Sequence, residues 1–298
     1  MAETASLFAR KLRDWRTGAG LHGRMTQEEL AERLGVSVDA IGKYERSQSF
    51  IRGDLEHRLS DALGWSREEV LECREDWDSR RGTPERTAYR LLDDNVVQSI
   101  YGGSWRRASH ESIVLAIEEF GALPEELAAN DRVFGPIYET YHEHWAVVMH
   151  GDRMVAKWAL PFLNAEDEAL FRAGRLLEAD LSIERIRRPI LPGTYFGYSP
   201  AVVVRPGHES ASMLLLSSFV DFLEALADRD VFLHGIGSIS VSPGGAQICQ
   251  DLGMTWLGTH CLDPSYGLWE LPGAAVAGSI IARRSPKLRL RYNEVFGT

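Results

Sequence analysis

Over residues 5–70 apolar side chains recur at three- and four-residue spacing, interrupted by short polar breaks, which predicts a run of short helices. ASLFARKLRDWR opens with an amphipathic pattern, and TQEELAERLGVSVDAIGKYERS, residues 26–47, reads as two helices joined by a tight turn. Thr26 is placed to cap the first of the pair, with Glu29 closing a capping box. Leu30, Ala31 and Leu34 give that helix one apolar stripe. Gly35 supplies a left-handed stop, and Val36 plugs the angle that follows. Ser37 then caps the second helix, in which Ala40, Ile41 and Tyr44 face inward. Val38, Asp39, Gly42, Lys43 and Arg46 are left pointing outward. DLEHRLSDALGWSREEV continues the helical pattern to about residue 76.

The pattern changes after Trp77. EDWDSRRGTPERTAYR is charged and carries Gly82 and Pro84, which end a helix, so residues 77–109 read as a connecting segment. Beyond it, ESIVLAIEEFGALPEELA reads as two helices, and WAVVM–HGDR–MVAKWAL as a hairpin about Gly151-Asp152. AEDEALFRAGRLLEADLSIERI is helical. YFGYSPAVVVRP is a strand with a kink or bulge at Pro200, and SASMLLLSSFVDFLEALADR is a long helix. VFLHGIGSISVS and MTWLGTHCL are strands on either side of the helix PGGAQICQDLGM. YGLWELP and two helices, GAAVAGSIIARRS and PKLRLRYNEVF, close the chain. The expected architecture is multidomain: an all-α domain over residues 1–76, the connecting segment, and an α+β domain over 110–298.

Composition refines this picture in three places. A length of 298 residues suits about two domains. Net charge is −10, unusual for a nucleic-acid binder, but it is uneven: −2 through Pro84 and −8 beyond. That balance opposes sequence-blind coating of nucleic acid and permits a local basic face built from Arg10, Lys11, Arg13, Arg16, Lys43, Arg46 and Arg52. The three cysteines, Cys73, Cys249 and Cys261, form no CxxC, so neither a disulfide framework nor a zinc site is expected. The start of the chain lacks a signal-peptide pattern, and the apolar runs are too short to span a bilayer, so a cytoplasmic protein with no membrane partner is expected.

Residues 5–70 resemble the lambda-repressor-like (Cro/C1, or XRE) helix-turn-helix domains, on the strength of TQEELAERLGVS, IGKYERS and the closing LSDALGWS. In that family the second motif helix enters the DNA major groove. The resemblance implies that Gln27 binds phosphate, that Ser37, Val38, Asp39 and Lys43 reach base edges or backbone, and that Arg46 and Ser47 approach phosphate. Val38 and Asp39 stand where many members carry glutamine. A valine packs on a thymine methyl, and an aspartate accepts from a cytosine amino group, so the operator does not follow by analogy.

The order of the C-terminal elements resembles the GNAT acyltransferase fold: hairpin, central strand, helix, strand, then SVSPGGAQICQDLGM. In that family a Gly-x-Gly/Ala loop after the central strand presents backbone amides to the pyrophosphate of acetyl-CoA. Here the loop is RPGHES, with Gly207 alone. Arg205, Gly207, His208 and the helix start at Ser210 remain as a possible acyl-CoA-like or anion site. The family's acidic tyrosine falls on Cys249, and the central strand has no carboxylate to act as base. The resemblance with these departures implies no cofactor and no catalytic residue: the domain would sense a ligand or assemble.

Other constellations carry less. His142 and His144 would share one side of a strand and invite a metal, but HExxH is absent and no metal site is expected. Trp105-Arg106-Arg107 is a basic-aromatic corner, Gly235-x-Gly237 a bulge or close-packing signal, and Trp145, Trp158, Trp256 and Trp269 read as core. The favoured reading is a sequence-specific transcriptional regulator that binds a double-stranded operator as a homodimer, with a small-molecule or protein effector. An N-acetyltransferase targeted by its helix-turn-helix, and an antitoxin-type regulator holding a protein partner, stay open.

Overall fold

In the computed structural model, which describes residues 5–19, 24–51, 55–81, 89–128, 130–188 and 190–297, side-chain caps set the first helices. Helix α1 (Leu7–Asp14) begins where the Ser6 hydroxyl accepts from the Ala9 amide. Helix α2 (Gln27–Leu34) begins on a reciprocal box: Thr26 Oγ1 accepts from Glu29 N at 3.2 Å, and Glu29 Oε2 accepts from Thr26 N at 2.7 Å. Gly35, at φ +63°, turns the chain toward α3 (Val38–Glu45), which Ser37 caps. Helices α4 (His57–Leu63) and α5 (Arg67–Arg81) complete the bundle around Phe8, Leu12, Leu30, Leu34, Ile41, Leu59, Trp65 and Val70. The all-α expectation holds, but α5 runs past residue 76 because buried Trp77 packs on Phe50, their rings 6.0 Å apart. Gly82 and Pro84 lie outside the described residues.

The chain divides into two compact units, Met1–Ala88 and Tyr89–Thr298, so residues 89–109 are no connecting segment. Strand β1 (Tyr89–Leu91) joins a sheet, α6 (Asp94–Tyr101) starts on an Asp93 cap, and α7 (Trp105–Phe120) starts on Ser104. The physical reason is burial: Val96, Val97 and Tyr101 enter the same core as Ile113 and Phe134. Helix α8 (Asp131–Thr140) packs beside α7. A one-turn 3₁₀ helix, His142–His144, takes the place of an extended Tyr141–Trp145. His144 is buried between Phe162 and Phe222, whereas His142 stacks on Trp105.

Strands β2 (Trp145–His150) and β3 (Arg153–Ala159) form the hairpin about Gly151, at φ +60°. Then come β4 (Phe162–Leu163), α9 (Ala165–Arg172), β5 (Gly193–Ser199), β6 (Val202–Val204), α10 (Ala211–Ala227) and β7 (Val231–Ser240). The chain closes with α11 (Pro243–Asp251), β8 (Thr255–Thr259), β9 (Gly267–Pro272), α12 (Gly273–Val276), α13 (Ile280–Arg283) and α14 (Pro286–Phe296). The helical expectation for 165–186 is corrected: only α9 is α-helical, and 3₁₀ turns follow. Gly174, at φ +69°, sits where a Cβ would lie 2.7 Å from the Thr259 carbonyl, so the chain must turn there.

Two sheets result, ordered β1-β2-β3-β6 and β4-β5-β7-β9-β8. Strands β5 and β7 are parallel, with α10 in the crossover between them, and the other pairs are antiparallel. Pro200 cannot donate to a ladder, and the strand divides at this point: β5 stays with β7 while β6 turns to β3. Hairpin, strand, helix and strand follow in the GNAT-like order the resemblance predicts, and the structure adds β9, inserted antiparallel between β7 and β8. The β5–β7 register slips opposite His234. Beyond it Gly235 and Gly237 lie so close to the Phe171 and Phe196 rings that a Cβ on Gly237 would stand 2.6 Å from each. Trp145, Trp158 and Trp269 are core, their indole N–H groups donating to Tyr138 O, Ser218 Oγ and Ser240 Oγ. Trp256 on the outermost strand is 56% exposed, against expectation.

Candidate functional site

The second motif helix owes its outward face to a buried carboxylate beneath it. Glu45 ends α3, is 5% exposed, and accepts from Arg16 Nε at 2.6 Å, Arg16 Nη2 at 3.0 Å and Gln27 Nε2 at 2.7 Å. Its carbonyl accepts from Arg13. Burial opposes ionisation, but the bonds from Arg16 and Gln27 win and hold the carboxyl below its usual range. This lock ties α1, α2 and α3 together and fixes how α3 is presented. Sequence reasoning missed it, although Ile41, Tyr44 and Glu45 share one helical stripe. A carboxylate there needs an internal partner.

The seven predicted contact residues then separate. Val38, Asp39, Lys43 and Arg46 are exposed along α3 and its end. Lys43 Nζ lies 2.6 Å from Asp39 Oδ2, a pair more than half exposed on both sides, and this contact lowers the Asp39 pKa. Such a pair is weak enough to open toward a phosphate or base. Gln27, Ser37 and Ser47 have side-chain bonds inside the unit: to Glu45, to the Ala40 amide, and to Ser6. Gly42, expected outward, is buried because the Arg46 guanidinium folds over it; a Cβ there would lie 3.1 Å from Arg46 Nη1. Of the other basic residues, Lys11 pairs with Glu69 and Arg16 with Glu45, Arg10 is exposed, and Arg52 lies outside the described residues.

In the C-terminal unit, Arg205 to Ser210 form the loop from β6 to α10. Arg205 is engaged by Glu118 and Glu119 of α7, the second at 3.3 Å, and by the Met154 carbonyl. Gly207, at φ +84°, donates its amide to Glu209 Oε1 at 2.9 Å. His208 Nδ1 lies 3.0 Å from the Tyr89 hydroxyl; burial, then His150 and Arg153, lower its pKa, so it stays neutral near pH 7. Ser210 makes no capping bond. Cys249 is on α11, its thiol beside Ser238, and burial pushes it up to about 12. The cation and the amide that would meet a pyrophosphate are thus both bonded to the chain's own glutamates.

By fold the protein is thus a helix-turn-helix domain joined to a GNAT-like α+β domain. Residues 7–72 match the family model described as a helix-turn-helix domain. No curated protein matches the chain. Among solved structures it is similar to FeeM, an N-acyl amino acid synthase from uncultured soil microbes, at 12% identity over 66% of this chain and 96% of that one, with a TM-score of 0.34. It is also similar to the GNAT domain of S. lividans PAT, at 13% identity over 62% and 89%, with a TM-score of 0.32. Likenesses this low carry no argument about chemistry; the fold rests on the strand order itself. Among the described residues no group of His, Cys, Asp and Glu is arranged to hold a metal, and no helix is long and apolar enough to cross a membrane.

Proposed function

We propose that this protein is a cytoplasmic, XRE-like transcriptional regulator that reads a specific double-stranded operator through α3. The observation that carries the reading is the exposed row Val38, Asp39 and Lys43, held out by the buried Glu45–Arg16–Gln27 lock. One such helix reads few base pairs, so two copies bind half-sites about one helical turn apart. The GNAT-like unit then serves as a sensing and dimerising part without acyl transfer. Its loop supports that role, since Gly207 and Arg205 are already engaged by glutamates.

The test is selection of bound DNA fragments with the full chain, followed by binding of Lys43→Ala/Arg46→Ala at several salt concentrations. The double variant should keep its fold, lose at least tenfold in affinity, and reduce the salt slope by about 2. A recovered site with two-fold symmetry supports the dimer. Unchanged affinity and slope would remove α3 from the interface. Calorimetry with acetyl-CoA checks the second unit, and micromolar binding with turnover on an amine would restore the transferase reading.

A further inference from the structure

The polar readout of α3 falls to two side chains that act together. Asp39 and Lys43 lie one turn apart, Asp39 Oδ2 standing 2.6 Å from Lys43 Nζ, with 68% and 51% of the two side chains exposed. Val38 beside them is 40% exposed and offers only methyl groups. An aspartate carried alone toward a polyanion is repelled. Here Lys43 neutralises it within its own face, and Arg46 adds a second positive charge nearby. The hydrogen bond from Lys43, then its charge, hold the carboxyl below its usual range, so it meets the groove ionised and can only accept. The lysine ammonium has three donors and gives one to Asp39, which leaves two for another partner. The face thus presents an acceptor and a donor side by side, each fixing the other.

Base pairs differ in whether their major-groove edges match that order. A C·G pair offers the cytosine N4 donor, then guanine O6 and N7 as two acceptors. N4 and O6 are hydrogen-bonded to one another, so they stand about 2.9 Å apart, close to the spacing within the Asp39–Lys43 couple. A T·A pair sets its adenine N6 donor between two acceptors, thymine O4 and adenine N7, and a carboxylate at N6 is brought against one of them. We propose that Asp39 and Lys43 together read one C·G pair in each half-site, Asp39 accepting from cytosine N4 and Lys43 donating to guanine O6 and N7. This pair is read only if α3 is the DNA-binding face proposed above, and selected DNA tests the two separately.

The test starts from the fragments selected with the full chain. Their half-sites should share one invariant C·G pair, and replacing it with T·A, A·T or the reversed G·C should each weaken binding by about tenfold. A 7-deazaguanine there, lacking the N7 acceptor, should weaken binding of the parent and make no difference to Lys43→Ala. Asp39→Ala should take all four pairs at this position nearly equally while keeping the parent's preferences elsewhere in the site. Asp39→Asn, whose amide pairs with adenine N6 and N7, should move the preference to adenine. Both variants should melt with the parent, since the side chain is exposed. A selected site without an invariant C·G pair, parental discrimination in Asp39→Ala, or a parent indifferent to 7-deazaguanine would each overturn the proposal and leave α3 as the binding face. No selected DNA at all would overturn both.

Discussion

In the N-terminal unit a buried carboxylate gathers the polar groups that would otherwise clutter the motif, and α3 is left presenting Val38, Asp39 and Lys43. The loop before α10 in the C-terminal unit is arranged the other way: Arg205 and the Gly207 amide, the groups that would meet an anion, are themselves bound by Glu118, Glu119 and Glu209. The difference teaches that a motif's residue types are less informative than where their hydrogen bonds go. An arginine locked below a helix supports a surface, and an arginine paired on that surface removes one.

The largest test of this contrast is Glu45→Ala. It leaves Arg16 half-buried and unpaired, and should cost the N-terminal unit about 3–5 kcal/mol, followed by Trp15 and Trp65 fluorescence in denaturant. The folded pKa of Glu45 is depressed, so its contribution is complete above the unfolded value near 4.5 and is lost as pH falls through the lower folded value. Acid stability of Glu45→Ala should therefore decline less steeply than the parent's, the remainder coming from Asp39 and Glu69, which are also lowered. In the other unit, Gly237→Ala forces a methyl against two rings and should cost about 1–3 kcal/mol in denaturant unfolding followed through that unit's buried Trp145 and Trp158. A loss below that range would mean the Phe171 and Phe196 rings can give way.

Smaller effects are expected where charge is buried without a tight partner. Lys157, 1% exposed, donates to Ser112 O at 3.0 Å, and burial lowers it to about 7; Glu178, which accepts from the Tyr198 hydroxyl at 2.6 Å, is raised by burial to about 8. A lysine lowered in the fold loses stability as pH falls from its unfolded value toward 7. A glutamate raised in the fold loses it as pH climbs from about 4.5 to 8. This unit should be least stable between pH 7 and 8. Lys157→Met should be as stable as the parent or more so, lacking only the alkaline recovery, as thermal melts across pH would reveal. Arg205→Ala is the mildest change: its glutamate partners are partly exposed, so the cost should stay under about 1 kcal/mol. A larger cost in equilibrium unfolding would make the loop a structural keystone.

The legible parts were those written in local pattern. Thr26, Glu29, Gly35 and Ser37 specify caps and a turn within a few residues of themselves, and the structure uses each of them so. Gly151 did the same for the hairpin, and Pro200 for the divided strand. The segment 89–109 was opaque because its strand is three residues long and takes its place only by pairing with β2, far along the chain. The helix expected through 165–186 failed for a similar reason: its local pattern is apolar enough, but Gly174 must pass the Thr259 carbonyl. Gly42 was misplaced because a side chain four residues on, Arg46, covers it.

The amino-acid order by itself determined the helix-turn-helix, its caps and the candidate face of α3, because helical signals are local and repeat every turn. It also determined the succession of strands and helices that ends in a GNAT-like sheet. Only the tertiary structure decided that Glu45 underlies that face and that Arg205 and Gly207 are engaged. The Glu45–Arg16 and Arg205–Glu118 contacts join residues 29 and 87 positions apart, which only packing of distant segments brings together.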